Sequence, residues 1–384
     1  MMAGLLMARA GVSTVLLEKH GDFLRDFRGD TIHPSTLEIM AELELLESFL
    51  QRPHQEVTTL AGNLGDTLVT VADFTHLPTR CKFVAFMPQW DFLDFLAERA
   101  RRYSAFDLRM RTRAEELVWE NGRVAGVRAQ SPDGPLEVRA KLTIAADGRE
   151  SVLRQRAGLD PVELGAPMDV LWLRLTKRGD DPHETFGYIR DGRIMALIDR
   201  GAYWQCAYVI PKGSLAELQG AGLETFRRHV SAIVPFLSDR VDELGSWDDV
   251  KLLTVRVNRL REWYRPGFLC IGDAAHAMSP IGGVGINLAI QDAVAAANLL
   301  SGTLVRGDVT ARDLRAVQRR REGAARLTQA IQLFIQSRII GNVLSSGRAP
   351  FLHRLPALLR LFPFLPRIPG RLVGLGFRPE HVVT

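Results

Sequence analysis

Residues 268–288 carry the side chains and backbone positions best suited to do chemistry. Residues 268–271 are a short apolar run after a Pro-Gly turn, which predicts a buried strand, and an acid, Asp273, comes just after it. The next loop contains three glycines, Gly282, Gly283 and Gly285. Glycines let a ligand approach the backbone closely, and the helix predicted to begin near Asn287 offers unpaired N–H groups that favour negative charge. This order of strand, acid, glycine loop and helix start predicts a cofactor site.

This stretch resembles the second flavin fingerprint of the aromatic-ring hydroxylases, single-component flavoprotein monooxygenases similar to para-hydroxybenzoate hydroxylase. The matching residues are Gly272-Asp273-Ala274-Ala275-His276, then Pro280, Gly282, Gly285 and Asn287. The resemblance implies that Asp273 binds the ribityl chain of FAD. It also implies that a second set lies against the flavin ring, namely Pro280, Gly282, Gly283, Gly285, Ile286 and Asn287. Taken alone, Asp273 fits a helix N-cap equally well, and the glycines fit a tight loop.

The first residues of the chain predict half of a dinucleotide-binding unit. Residues 1–11 favour a helix that ends in glycine, and residues 14–17 favour a strand that is closed by Glu18. We predict that Glu18 binds the adenosine ribose; the alternative is a solvated charge at a strand end. The first strand and the glycine-rich phosphate loop of such a unit would lie before Met1, so the sequence departs from the family there. An internal start, a trimmed chain and a genuine remnant with weakened FAD binding all remain open.

Three further cofactor contacts are implied by the resemblance. Arg28 lies where the family places an arginine near the FAD phosphates or ribose. Gln89 precedes an apolar-faced helix and matches a glutamine that contacts FAD. Asp147 and Gly148 follow a predicted strand and resemble the family's DG motif, which is linked to the FAD pyrophosphate and to nicotinamide-cofactor use. The alternatives are a surface arginine, a polar residue at a helix start and an ordinary turn.

Composition excludes several other classes of protein. The chain has 384 residues, is 46% hydrophobic and carries a net charge of +5. Its arginines are spread along the sequence rather than gathered on one element, so we predict no nucleic-acid partner. The three cysteines are far apart and show no metal-binding spacing, which favours a reducing compartment and a cytoplasmic location. No uncharged apolar stretch is long enough to span a bilayer.

The predicted fold class is α/β. A Rossmann-like parallel FAD-binding sheet, without its first strand, is interleaved with a β-rich substrate domain and followed by a helical C-terminal tail. The FAD-binding domain is predicted at 1–164 and 261–340, with a β insertion at about 56–87. The substrate domain is predicted at 165–260 and the tail at 341–384.

Local patterns predict the individual elements. Ser35 and Glu38 predict a capping box for a helix that extends to about Leu50. Turns are predicted at 62–63, 65–66, 121–122 and 132–134. Strands of the substrate domain are predicted at 169–176, 184–190, 193–199 and 203–210, with a helix near 223–233. Two long helices are predicted at about 287–303 and 311–337.

The resemblance implies an NAD(P)H- and O2-dependent hydroxylase that acts through a flavin C4a-hydroperoxide on an aromatic or polyketide-like small molecule. This chemistry belongs to the cofactor, so no catalytic side chain is predicted. One alternative is another FAD-dependent oxidoreductase on the same scaffold, such as a reductase or dehydrogenase. A second alternative is a non-catalytic remnant. The tail mixes Pro, Arg, Leu and Phe, which fits either weak contact with a membrane surface or a proline-broken helical cap over the core.

Overall fold

The computed structural model describes residues 1–24, 31–65, 67–182, 186–346 and 350–383. Within these residues the strands are, in chain order, β1 (Thr14–Leu17), β2 (Thr31–Ile32), β3 (Gln55–Val57), β4 (Thr59–Leu64), β5 (Thr67–Asp73), β6 (Val84–Phe86), β7 (Phe106–Arg109), β8 (Arg113–Glu120), β9 (Arg123–Ser131), β10 (Gly134–Arg139), β11 (Thr143–Ala145), β12 (Pro161–Glu163), β13 (Met168–Thr176), β14 (Phe186–Arg190), β15 (Arg193–Asp199), β16 (Tyr203–Pro211), β17 (Lys251–Leu253), β18 (Asn258–Leu260), β19 (Tyr264–Arg265) and β20 (Phe268–Cys270).

The α-helices are α1 (Met2–Arg9), α2 (Pro34–Glu42), α3 (Leu46–Leu50), α4 (Gln89–Ala100), α5 (Val152–Arg156), α6 (Leu215–Gly220), α7 (Leu223–Ile233), α8 (Gly285–Arg306), α9 (Ala311–Ile335), α10 (Gly341–Ser346), α11 (Pro350–Leu361) and α12 (Arg367–Gly374). A π-helical turn, Gln336–Ile340, joins α9 to α10. One helical stretch of the described residues, Ile281–Arg306, has the length and apolar character to cross a membrane. It is largely the core helix α8, and 61% of its apolar window is buried inside the protein.

Two parallel strand pairs lie at the centre of the first structural unit. β1 pairs with β7, and β11 pairs with β20, while β19 adds an antiparallel strand to the second pair. The sequence of β20 is Phe-Leu-Cys, and all three residues are buried, as expected for a parallel strand that is covered on both faces. Helices α1 and α8 pack against each other, and their apolar residues join the same core as the strands. Across the described ranges no backbone pairing links β1 to β11, so the two pairs form separate sheets.

The second unit is built on a seven-stranded sheet in the order β17-β13-β16-β15-β14-β4-β5. Neighbouring strands are antiparallel except β14 and β4, which are parallel. Alternate residues of the strands point to opposite faces, and one face packs on α7 through a cluster that includes Leu173, Trp204 and Phe226. The opposite face carries Trp172 and Ala196, among other residues. The predicted α/β class with a parallel sheet, a β-rich part and a helical C-terminus is confirmed.

Three local predictions were wrong, one because of strand pairing and two because of the local geometry at helix ends. Residues 62–63 are not a turn but lie inside β4, which is held by pairing with both β5 and β14. Ser35 and Glu38 form no capping box, because the N-cap of α2 is His33, two residues before Ser35, and it makes no side-chain cap hydrogen bond. The helix does not reach Leu50, since Glu44 adopts a left-handed φ of 60° and separates α2 from α3.

Candidate functional site

The carboxyl ends of β11 and β20 bring two predicted site segments together. Because these strands are parallel neighbours, the residues that follow them meet at one edge of the sheet. Asp147 and Gly148 follow β11, and Asp273 follows β20. An ion-pair contact confirms their proximity: the Arg149 Nη2 atom lies 3.7 Å from Asp273 Oδ2, and both side chains are about one-third exposed. Gly148 has a left-handed φ of 89°, which favours glycine at this turn.

The glycine loop presents a line of accessible residues within a segment that is otherwise buried. Residues 274–279 are buried. The accessible residues around them are Asp273, Pro280, Ile281, Gly282, Gly283, Gly285 and Ile286. All of these except Ile281 belong to the set predicted to touch the cofactor. A ligand that lies along this line can reach both the acid at the strand end and the start of α8.

The N-terminus of α8 is an open end of a long helix. Val284 occupies the N-cap position without a side-chain hydrogen bond, and the first turn contains no acidic residue. The first N–H groups of α8 therefore lack a capping side chain, and the helix dipole adds partial positive charge at this end. This position favours a negatively charged group, such as the pyrimidine edge of a reduced flavin.

The side chain of Asn287 is engaged in hydrogen bonds within the protein. Its Oδ1 atom accepts hydrogen bonds from the His33 backbone N–H (2.9 Å) and the Thr36 hydroxyl (2.7 Å). Its Nδ2 atom donates to the Thr31 carbonyl at 3.2 Å and to the Gly283 carbonyl at 3.4 Å. The amide is thus fully occupied in fixing residues 31–36 to the glycine loop. Only the backbone N–H of Asn287 could serve the cofactor in the way that the resemblance implies.

Gly283 is needed for packing. Its φ is 62°, and a Cβ atom on it would lie 2.3 Å from the Thr31 Oγ1 atom, which donates a hydrogen bond to the Gly283 carbonyl at 3.0 Å. His33 belongs to the same contact region, because its Nδ1 atom lies 2.7 Å from the Val373 carbonyl of α12. Burial lowers the pKa of His33 to about 4, although the hydrogen bond to Val373 acts in the opposite direction.

A buried network of charged side chains on α8 and α9 contacts the turn that carries Asp273. Asp292 on α8 accepts hydrogen bonds from the Gly272 N–H at 3.0 Å and from Arg321 Nε at 3.0 Å, and it lies 2.7 Å from His276 Nε2. Burial opposes ionisation of Asp292, yet His276 and Arg321 hold its pKa below the usual range. Arg321 also reaches Glu380 at 3.4 Å, so the network extends to the end of the chain.

Two glutamines, Gln332 on α9 and Gln336 directly after it, form hydrogen bonds to the turn that contains Pro280. We call these hydrogen bonds the glutamine clamp; sequence reasoning missed it. Gln332 accepts a hydrogen bond from the Ser279 N–H at 3.1 Å and donates to the carbonyls of Ser279 (3.0 Å) and Ile281 (2.9 Å). Gln336, the first residue of the π-helical turn, donates to the Ser279 hydroxyl at 2.7 Å. The available signal was the helical spacing of Gln318, Gln329 and Gln332, which places them on the same face of α9 as apolar residues such as Leu314 and Val317.

The chain matches a family model described as FAD binding domain over residues 1–331. It is 35% identical over 350 residues to 6-methylpretetramide 4-monooxygenase of Streptomyces rimosus. The aligned region covers 90% of this chain and 82% of the relative. The chain belongs to the FAD-dependent monooxygenase family. The flavoprotein is also 32% identical over 226 residues to digeranylgeranylglycerophospholipid reductase of Thermoplasma volcanium, covering 56% of this chain and 54% of the reductase. Its fold matches OxyS anhydrotetracycline hydroxylase from Streptomyces rimosus with a TM-score of 0.76 at 23% identity, covering 99% of this chain and 74% of the hydroxylase.

FAD is the cofactor of this flavoprotein family, and the residues at the sheet edge suit it. Asp273 offers a carboxylate for ribityl hydroxyls, and Arg149 adds a cation beside it for a phosphate. The open start of α8 suits the electron-rich end of the ring. This donor set matches a ligand that carries hydroxyls, negative charge and a flat ring together.

All of the predicted FAD contacts stay predictions, including those of Glu18, Gln89 and Arg28. Glu18 follows β1, where its Oε1 atom accepts a hydrogen bond from the His20 N–H at 2.9 Å. Burial lowers the pKa of the Met1 amine, and the charge of Glu18 acts in the opposite direction. Gln89 is the first residue of α4 and is partly exposed. Arg28 lies outside the described residues.

Proposed function

We propose that this flavoprotein hydroxylates an aromatic, polyketide-like small molecule, with NAD(P)H as the reductant and O2 as the oxygen source. Support comes from the 35% identity to a relative whose name describes a monooxygenase of 6-methylpretetramide. When bound, FAD would supply both the reduction by NAD(P)H and the activation of O2. The protein's own residues would bind, orient and shield the reacting groups.

The accessible line from Asp273 to Ile286 is the observation that carries this proposal. Asp273 would hold the ribityl hydroxyls, and the turn at Asp147 would lie near the pyrophosphate. The backbone N–H groups at the start of α8 would stabilise negative charge on the pyrimidine edge. Gln332 would keep Pro280 in place beside the ring.

The face of the seven-stranded sheet opposite α7 offers a floor for a flat substrate. In one register row across four neighbouring strands it carries only small residues, Ala207, Ala196, Gly187 and Gly62. On the same face, Ile198 packs in a cluster with Leu60 and Val373. Val373 in turn adjoins the glycine loop, since its Cγ2 atom would lie 3.6 Å from a Cβ placed on Gly282. Small side chains opposite the loop leave room for a fused aromatic ring system.

Two measurements test this function. The chain is purified with FAD beside the variants Asp273→Ala and Asp133→Ala, where Asp133 is an exposed acid in the turn before β10. We expect the first variant to lose bound flavin and the control to keep it; full retention by Asp273→Ala would reject the assigned role. The second measurement follows NADH and NADPH oxidation with an aromatic polyketide under ¹⁸O2. Incorporation of one labelled oxygen supports hydroxylation, whereas consumption that yields only hydrogen peroxide contradicts it for that substrate.

A second candidate function is reduction of an unsaturated lipid. It is favoured by the 32% identity to a digeranylgeranylglycerophospholipid reductase, although the match covers about half of each chain. NAD(P)H oxidation that requires a polyprenyl lipid and proceeds without O2 would establish this alternative. An absolute requirement for O2 would exclude it.

We also propose a cytoplasmic location and weak contact of residues 341–384 with a membrane surface, where a lipophilic substrate would be collected. The three cysteines, which are buried and unbonded, support a reducing compartment. Exposed apolar residues after α11 support the membrane contact.

A further inference from the structure

The segment from the end of α11 into α12 exposes large apolar side chains together with arginines. The exposed fractions are 71% for Leu361, 39% for Phe362, 51% for Phe364 and 55% for Ile368. Three exposed arginines, Arg360, Arg367 and Arg371, lie among them. We call these seven residues the tail face. Soluble proteins rarely leave so many large apolar side chains together in water without a binding partner.

The tail face is held in a fixed orientation by the opposite side of the same segment. The Pro366 carbonyl accepts a hydrogen bond from the Asp73 N–H at 3.0 Å. Gly370 and Gly374 bring α12 into close contact with its neighbours, since a Cβ atom on Gly370 would lie 2.0 Å from the Asp73 carbonyl oxygen. On Gly374 a Cβ would lie 2.6 Å from Leu77. The apolar residues therefore point outward because α12 is docked through its glycine side.

The charge of this part of the chain is strongly one-sided. Residues 323–379 contain eight arginines and no lysine, aspartate or glutamate. Since the whole chain carries +5 and this stretch carries +8, the rest of the chain carries a net charge of −3. One carboxylate, Asp73, lies near Arg367 and partly offsets its charge. Arg360 and Arg371 remain exposed on the tail face.

We propose that the tail face binds the surface of a bilayer that contains anionic lipids. Aromatic and aliphatic side chains insert at the headgroup boundary, while neighbouring arginines pair with lipid phosphates. Charge complementarity favours this partner over a second copy of the chain, whose equal positive charge would oppose a symmetric contact. The inference rests on the proposed membrane contact and adds the sign of the lipid charge and the residues involved. It is independent of the hydroxylation reaction.

Co-sedimentation with lipid vesicles tests the proposal on the full chain with bound FAD. Vesicles of phosphatidylcholine alone are compared with vesicles that contain phosphatidylcholine and phosphatidylglycerol in equal amounts. We expect binding to the anionic vesicles only, and we expect it to weaken as salt rises because the charges are screened. The double variant Arg360→Gln with Arg371→Gln should bind the anionic vesicles roughly thirtyfold more weakly.

A second pair, Phe362→Ser with Phe364→Ser, should abolish vesicle binding while FAD content and circular dichroism stay unchanged. The matched control combines Trp119→Ser and Arg113→Gln, both exposed residues of β8, and should bind like the parent chain. Equal binding to neutral and anionic vesicles, or no vesicle binding at all, would overturn the proposal. A dimer of the parent chain, detected by light scattering, would also overturn the proposal if the Phe362→Ser, Phe364→Ser variant is monomeric. The tail face would then be an interface between copies. None of these outcomes bears on the ¹⁸O2 measurement.

Discussion

Replacement of Gln332 by leucine tests whether the glutamine clamp holds the cofactor loop. The leucine side chain has nearly the same volume but cannot make the three hydrogen bonds to Ser279 and Ile281. Two buried backbone groups of Ser279 and the partly buried carbonyl of Ile281 would be left unpaired. At about 1 kcal/mol for each, the free energy of unfolding should fall by about 3 kcal/mol. We expect about half of this loss to appear also as weaker FAD binding, which corresponds to roughly a tenfold rise in Kd.

Gln318 on the same helix provides a matched control. It is also buried, and it bonds the backbone of a different segment, accepting from the Trp263 N–H at 3.1 Å and donating to the Arg261 carbonyl at 2.9 Å. Gln318→Leu should therefore lose about 2 kcal/mol of stability without changing FAD affinity. The two effects separate a role in positioning the loop from a general loss of helix packing.

The assay combines urea unfolding with titration of apoprotein by FAD, followed through flavin fluorescence and the visible absorption band. A displaced Pro280 turn should change the shape of that band in Gln332→Leu and leave it unaltered in Gln318→Leu. The reasoning is refuted if both variants bind FAD with the affinity and spectrum of the parent chain. It is equally refuted if both weaken FAD binding to the same extent, because stability alone would then explain the result.

Three more predictions concern stability. Between pH 6.5 and about 4 the unfolded chain protonates His33 while the folded chain does not, so the free energy of unfolding should fall by about 3 kcal/mol as pH drops through this window. The free energy from urea unfolding should depend less on pH in His33→Gln. The same pH dependence in the variant and the parent chain would contradict this. Asp292→Asn removes one of the two buried carboxylates that Arg321 contacts, together with the partner of His276, and should cost about 3 kcal/mol. Thermal unfolding measures this loss, and a loss below about 1 kcal/mol would show that the network is not coupled. Glu44 has a left-handed φ of 60°, which glycine adopts without strain, so Glu44→Gly should raise the free energy of unfolding by about 1 kcal/mol. A lower melting temperature of the variant would argue against backbone strain at this position.

Sequence patterns were sufficient where local rules decide the structure. Four strands of the seven-stranded sheet, β13 to β16, and helix α7 lie where predicted, since each is set by its own periodicity. The Asn121-Gly122 turn is confirmed, and both residues have positive φ as a tight hairpin requires. The acid after β20 and the turn after β11 were each identified from the sequence, whereas their proximity follows from the parallel pairing of the two strands, which the structure shows.

Side-chain partners distant in sequence could not be predicted. Asn287 fits a helix-start ligand by its position, yet its amide is occupied by residues 31–36, more than 250 positions away. Gly62 fits a turn by composition, but pairing with β14 keeps it extended. The clamp by Gln332 depends on how α9 crosses the loop, which a helical pattern alone does not reveal.

The network from Asp292 to Glu380 makes the Asp273 turn depend on a segment far away in sequence. The Glu380 carboxylate meets Arg321, and the Glu380 backbone N–H donates to Gln291 on α8. Arg321 in turn contacts Asp292, which accepts the hydrogen bond from the Gly272 N–H. The turn that carries Asp273 therefore gains its full support only when the segment around Glu380 has docked against α8 and α9.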